Sequence, residues 1–391
     1  MSESIASYVL LSLPSKAAPE SAPTTDINEW LEQNLLNGKS QINKFQIPSF
    51  KIGTLDQLVL QSEELSKIDE QLAGSVVKIV EVLSSLYDYN YPLINSIKKV
   101  DDKFVTDFAE HFQWKNAKFK LTDPLSKLID LISNEAFQLD TDVRNAFTNY
   151  NTAKSNLTAA ERKQSGDLSV KSLHDVVKAS DFVLGSDHLQ TVLVAVPKNL
   201  QKEFLNTYES LVQFVVPRSA KIITDDKEYY LYGVTLFKKY VQEFLHALRE
   251  RKYVPRDFVY SEELLQELKE EHDIAAKNEN RLKNDLIRLS RAAYSDITSN
   301  WFHLKAIRIF VESVLRYGLP PDFNSTIIKL PTSKSLEKAK QELFQEFGYL
   351  GGNAFSVDKK GKVKKDSSLN EYASLVDTEY EPFVIYPVEI K

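Results

Sequence analysis

Apolar positions along the chain fall into two very long helical patterns. The first opens with Asp123 as N-cap and Pro124 at the first helical position. It runs without Gly or further Pro to Gln164 and stops near Gly166. Ala136, Val143, Tyr150 and Leu157 lie seven apart, and Leu125, Ile132, Leu139, Ala146, Ala153 and Ala160 form a second row at the same spacing. Two such rows make a coiled-coil seam, with small alanines late in the helix where a partner approaches closely. The second pattern opens at Ser261, with Glu262 and Glu263 in its first turn at the positive end of the helix dipole. It meets neither Gly nor Pro before Gly318, Pro320 and Pro321. Leu268, Ala275, Leu282 and Leu289 share one row; Leu265, Leu286 and Ala293 share the next. Ile297, Leu304 and Val311 carry a shifted stripe, so the buried face is expected to change near Asp296. At 1.5 Å per residue these helices are about 60 and 85 Å long, well beyond a mean helix of about 11–12 residues.

Geometry suggests why they are so long. Residues 167–260 separate the two patterns, and a compact domain brings its chain ends close together. The flanking helices then run antiparallel and bury their seams on each other. The expected fold is α+β and helix-rich: an elongated dumbbell whose two α/β ends are joined by a long antiparallel two-helix neck. Its parts are a foot domain from residues 1–123 plus 318–391, a helical neck from 124–166 and 261–317, and an inserted α/β head domain from 167–260. In the head, 191–197 (TVLVAVP) reads as a buried strand and 198–211 as an amphipathic helix through Leu200, Phe204, Tyr208 and Leu211. Residues 229–237 and 253–260 read as strands, and 239–251 as a helix with Val241, Phe244, Leu245 and Leu248 on one face. The foot offers strands at 8–13, 45–52, 326–330 and 383–388. Its helices are expected at 26–37 (ended by Gly38), 62–87 and 333–347.

Composition narrows the chemistry. The 391 residues contain no Cys, which removes disulfides, thiolate zinc sites, iron–sulfur clusters and cysteine nucleophiles. Glycine is scarce, 11 of 391, leaving little material for glycine-lined phosphate loops. No apolar run approaches the roughly 18 residues of a membrane span. The opening stretch has Glu3 and no Lys or Arg before its apolar residues, so no signal peptide is expected. A net charge of −6 argues against general nucleic-acid binding.

Motifs for catalysis are poor. The six histidines form no HExxH, and His272 in EEHD, with Glu267 and Glu271 one turn apart, reads better as a solvated acidic stripe than as a metal site. FGYLGGNAF (347–355) lacks dinucleotide-loop spacing and a P-loop lysine, and reads as a helix cap and turn. Ser172, His174 and Asp175 sit too close on one helix for a relay. No catalytic, cofactor or metal site is expected, and no cofactor. Lys359, Lys360, Lys362, Lys364 and Lys365 crowd one stretch that would attract phosphate, anionic lipid or an acidic protein surface. VDKKGKVKK equally suits a solvated hairpin with Gly361 in its turn and lysines protecting an edge. The seams of the long helices read as internal packing rather than docking grooves, except where the stripe shifts near Asp296.

Several stretches carry a family resemblance: FKIGTLDQLV (50–59), SEELSKID (62–69), ERKQSGDLSVKSLHDVVK (161–178), TVLVAVPK (191–198), WFHLKAIRIFVESVLRYGLPPDF (301–323), FGYLGGNAF (347–355) and YASLVDTEYEPFVIY (372–386). Together they resemble the C subunit of the vacuolar-type proton-translocating ATPase (V-ATPase), most like the fungal form, over nearly the whole chain; the match is weakest at 87–105. The resemblance implies a non-catalytic stator that links the ATP-hydrolysing sector to the membrane sector and takes part in their reversible assembly. Its implied partners are a peripheral-stalk heterodimer of the E and G subunits at the head, and a second stalk plus the N-terminal domain of the a subunit at the foot. Actin is reported to bind some members. The implied place is cytoplasmic, peripheral on the cytosolic face of the vacuolar membrane. The rival readings are an actin- or lipid-binding adaptor using the lysines, and a nucleotide hydrolase sited in the insert.

Overall fold

The computed structural model describes residues 6–23, 25–165, 167–171, 173, 176–258, 260, 262–357, 363–365 and 381–390. These residues mix helix and sheet and group into two units. One comprises 1–147 with 285–391, the other 148–284.

The first unit is built on an antiparallel sheet of order β12-β1-β9-β2: β1 Ala6–Pro14, β2 Gln41–Lys44, β9 Phe323–Lys329 and β12 Val384–Ile390. Each strand alternates its side chains between two faces, and β1, an inner strand, is buried on both. Val9, Leu11 and Leu13 meet α1 (Ile27–Asn34) and α9 (Ser335–Phe347) through Trp30, Leu31, Leu343 and Phe347. Ser12, on the opposite face, bonds Ser313 Oγ at 2.8 Å. Asp26 caps α1 by accepting from Asn28 N, and Gly38 ends the following 3-10 turn at φ 67°.

Helix α2 (Leu55–Leu86) begins seven residues before the expected 62. Thr54 and Gln57 form a reciprocal capping box. Exposed Leu55, Val59 and Leu60 hide that start from a periodicity reading. The strand expected at 45–52 is displaced to β2. Pro48 cannot donate to a ladder, and Phe45 and Phe50 serve as core rings instead: Phe45 stacks on Phe112 at 4.8 Å, and Phe50 meets Phe310 edge-on at 5.1 Å. Two short helices, α3 (Tyr91–Ile97) and α4 (Val105–Glu110), flank a hairpin of β3 (Lys99–Val100) and β4 (Lys103–Phe104). Asp101 and Asp102 both take positive φ in its two-residue turn, as such hairpins require.

The two long helices are α5 (Leu125–Ser165) and α8 (Glu262–Tyr317). Leu128 N donates to Pro124 O, so Asp123 stands outside the helix and pairs with Lys127 rather than capping. Of the two heptad rows, Leu125, Ile132, Ala136, Val143, Tyr150, Ala153 and Ala160 are buried, while Leu139, Ala146 and Leu157 are half-buried. In the first unit Asn300 Nδ2 of α8 donates to Glu135 Oε2 of α5 at 3.2 Å. In the second, a cleft of about 750 Å³ lies between the two helices, lined by Ala153, Ala160, Ile274 and Ala275. The expected change near Asp296 takes a particular form: every residue from Ile297 to Val311 is buried. A helix covered on all sides needs apolar residues all round, and the few polar ones need partners.

The second unit holds an antiparallel sheet of order β6-β7-β5-β8, with β5 Leu189–Pro197, β6 Lys221–Asp225, β7 Tyr229–Phe237 and β8 Val254–Arg256. One face (Val192, Val194, Tyr232, Val234) packs on α6 (Gln201–Thr207) and α7 (Val241–Glu250) through Phe204, Phe244 and Leu248. The other face packs Leu193, Ala195 and Leu231 on Leu168 and Leu173. The helix expected over 198–211 is broken, with 3-10 turns on either side of α6. The strand expected over 253–260 shrinks to β8.

Candidate functional site

Part of the lysine-rich stretch lies on a described strand pair. Strands β10 (Phe355–Val357) and β11 (Val363–Lys365) pair antiparallel, Phe355 opposite Lys365 and Val357 opposite Val363. Lys364 and Lys365 lie on β11. Lys359, Lys360, Gly361 and Lys362 lie outside the described residues, as do Ser172, His174 and Asp175.

Other sequence candidates stay apart. His272 Nδ1 lies 3.6 Å from Asp273 Oδ1 on a helix surface. Among the described residues no three His, Cys, Asp or Glu side chains converge as a metal site. Gly348 has φ −59°, so no left-handed cap forms there: α9 runs on into a 3-10 turn over Gly348–Ala354. No described helix is long and apolar enough to cross a membrane.

Sequence reasoning missed a cluster of buried charges on the all-buried stretch of α8. Asp69 of α2 accepts from Trp301 Nε1 at 2.6 Å, from Lys305 Nζ at 2.9 Å and from Arg308 Nη1. Arg308 Nη2 also donates to Ser66 Oγ at 3.0 Å, and its guanidinium lies 4.2 Å from the Tyr386 ring of β12. Lys305 Nζ lies 4.6 Å from the Trp301 ring. One turn on, Glu312 accepts from Ser62 Oγ, and Arg316 donates to the carbonyls of Glu381 and Phe383. Tyr317 OH donates to Ser12 O at 2.7 Å and accepts from Val384 N at 3.1 Å. The set ties α2, β1 and β12 to one helix.

Burial by itself would raise the Asp69 carboxyl; facing Lys305 and Arg308 outweigh it and hold the group below the usual carboxylate range. Burial pulls Lys305 down, against the attraction of Asp69. Trp301, Lys305 and Arg308 fit i, i+4, i+7 spacing, a signal of one shared helix face that sequence alone leaves without a partner.

His303, fully buried on α8, sits among Phe112, Trp114 and Phe119 with ring centroids 4.9–5.1 Å away. Nδ1 donates to Ser299 O at 2.7 Å and Nε2 accepts from Lys115 N at 3.1 Å. Both nitrogens are therefore occupied in the neutral tautomer. Burial pushes its pKa down to about 4. This histidine packs against the aromatic rings and holds the Lys115 backbone in place.

The family model of the V-ATPase C subunit matches residues 8–384. The V-type proton ATPase C subunit of Saccharomyces cerevisiae is 54% identical over 384 residues, covering 98% of this chain and 97% of that protein. The protein of the same name from Caenorhabditis elegans is 36% identical, covering 98% and 97%. The V-type proton ATPase C 1 subunit of Rattus norvegicus is 34% identical over 354 residues, covering 90% and 91%. A crystal structure of the cytoplasmic N-terminal domain of the V-ATPase I subunit, a homolog of the a subunit, covers 98% of this chain at 11% identity with a TM-score of 0.28, from which nothing follows.

Proposed function

The chain belongs to the V-ATPase C-subunit family, in its fungal form, and from that membership we propose how it works: as a stiff strut between two docking ends. Its role is that of a non-catalytic subunit of the V-type proton pump. The observation that carries this is 54% identity to the yeast family member across 98% of the chain.

On this reading the second unit docks a peripheral-stalk heterodimer of the E and G subunits. The first unit docks a second stalk and the N-terminal domain of the a subunit. The chain then sits at the cytosolic face of the vacuolar membrane and transmits torque rather than chemistry. Support comes from α5 and α8, which contribute to both units and lie against each other within each. Paired helices do not stretch as a Gly/Ser linker does. Two modest interfaces on one rigid body reinforce each other through effective concentration. Losing either one then releases the chain, which suits reversible assembly. Charged rims make both contacts salt-sensitive.

The lysines Lys359, Lys360, Lys362, Lys364 and Lys365 belong to the contacts of the first unit. Affinity capture of the tagged chain under gentle conditions should recover E, G and a together. Replacing the five lysines by Glu should lower recovery of a. Capture without any of these subunits removes the reading; unchanged recovery with the Glu variant removes only the lysines. No observation favours the adaptor or nucleotide-hydrolase readings.

A further inference from the structure

Phe214, in the second unit, has φ +63°. A bulky side chain in the left-handed region is a genuine outlier that strains the backbone. Burial does not compensate, because Phe214 is 56% exposed. Its backbone is held by the end of β7: Phe237 N donates to Phe214 O, and Val216 N donates to Thr235 O at 2.9 Å. The ring stacks on Tyr240 at 5.2 Å and meets Phe237 edge-on at 5.7 Å. Phe237 is itself 40% exposed. The result is a contiguous aromatic surface at one corner of the sheet.

Two cations border it. Lys238 and Lys239 follow Phe237 directly, both exposed. Lys239 Nζ lies 5.8 Å from the Tyr240 ring. Among the described residues neither lysine has a carboxylate within ion-pair distance. Exposed aromatic anchors beside unneutralised positive charge complement an apolar stripe flanked by carboxylates.

We propose that the Phe214–Phe237–Tyr240 corner, with Lys238 and Lys239, is a docking surface for an amphipathic helix with an acidic flank. This rests on the strut reading above and places the stalk heterodimer's contact at this corner of the second unit. A protein helix fits better than a lipid surface. The Phe214 ring lies flat on Tyr240 and offers a face, whereas bilayer insertion needs rings that project. Two lysines are too few to hold a chain on an anionic membrane, where clusters of about four to eight are needed. Aromatic anchors of this kind are the residues on which protein interfaces concentrate their affinity.

The strained φ supplies a clean test. Asn tolerates the left-handed region better than Phe, so Phe214→Asn removes the ring without unfolding the chain. Binding of full-length chain to purified E–G heterodimer is measured beside thermal melting. Phe214→Asn should keep or raise the melting temperature and weaken binding about tenfold or more. Lys238→Glu/Lys239→Glu should weaken it too, with a shallower salt dependence. Wild-type binding that both variants retain within about twofold overturns the corner and leaves the strut intact. No wild-type binding to E–G overturns both. Binding to phosphatidylserine vesicles that Phe214→Asn abolishes, without E–G binding, overturns the helical occupant. A lower melting temperature in Phe214→Asn, with binding lost only as the chain melts, assigns the ring to folding and overturns the proposal.

Discussion

Asp69 pairs with two buried cations, Lys305 and Arg308. Removing one member of such a set leaves uncompensated charge in a low-dielectric interior, which costs about 3–5 kcal/mol. Asp69→Asn should therefore lower the stability of the first unit by about 3 kcal/mol. Urea denaturation followed by tryptophan fluorescence reads this directly, since Trp30, Trp114 and Trp301 all lie in that unit. A change under about 1 kcal/mol would sink the claim that the cluster fastens α2 to α8. His303 gives a pH signature. Its folded pKa, about 4, lies below the ordinary value of 6.5, so between those values the unfolded chain binds more protons than the folded one. Stability then rises with pH across that window and falls as pH drops from 6.5 toward 4, by up to about 3 kcal/mol. His303→Gln should flatten that slope; an unchanged profile would contradict the buried neutral imidazole. Neither residue was legible beforehand. An aspartate or histidine within an amphipathic pattern reads as solvent-facing until the elements that cover it are known.

At the scale of elements, periodicity located what extends over many turns. The bounds of α5 and α8 agree with their patterns within two residues, because the heptad rows are long and uninterrupted by Gly or Pro. Strands β1, β7, β9 and β12 were also visible as apolar runs. What stayed hidden is short or set by tertiary contact: β2 beside the aromatic plugs Phe45 and Phe50, the early start of α2, the pieces around α6, and β6 on an exposed edge. The seam makes its own prediction. Ala136 is fully buried where α5 meets its surroundings, so Ala136→Leu should cost about 1–3 kcal/mol by overpacking. Asn134, two residues earlier on the same helix, is exposed, and Asn134→Leu should stay within about 0.5 kcal/mol. Equal effects at the two positions would mean that the seam is not packed as described.

At the scale of the whole molecule, the family makes the chain a non-catalytic subunit of a pump whose chemistry lies elsewhere. The account depends on one body keeping two docking ends apart. A compact globule of 391 residues has a radius of gyration of about 21 Å. The 56 residues of α8 alone span about 84 Å if straight. Small-angle scattering from the purified chain in dilute solution separates the two cases. The strut account predicts a radius of gyration well above about 30 Å and a longest dimension beyond the length of α8; a value near the compact-globule figure would contradict it.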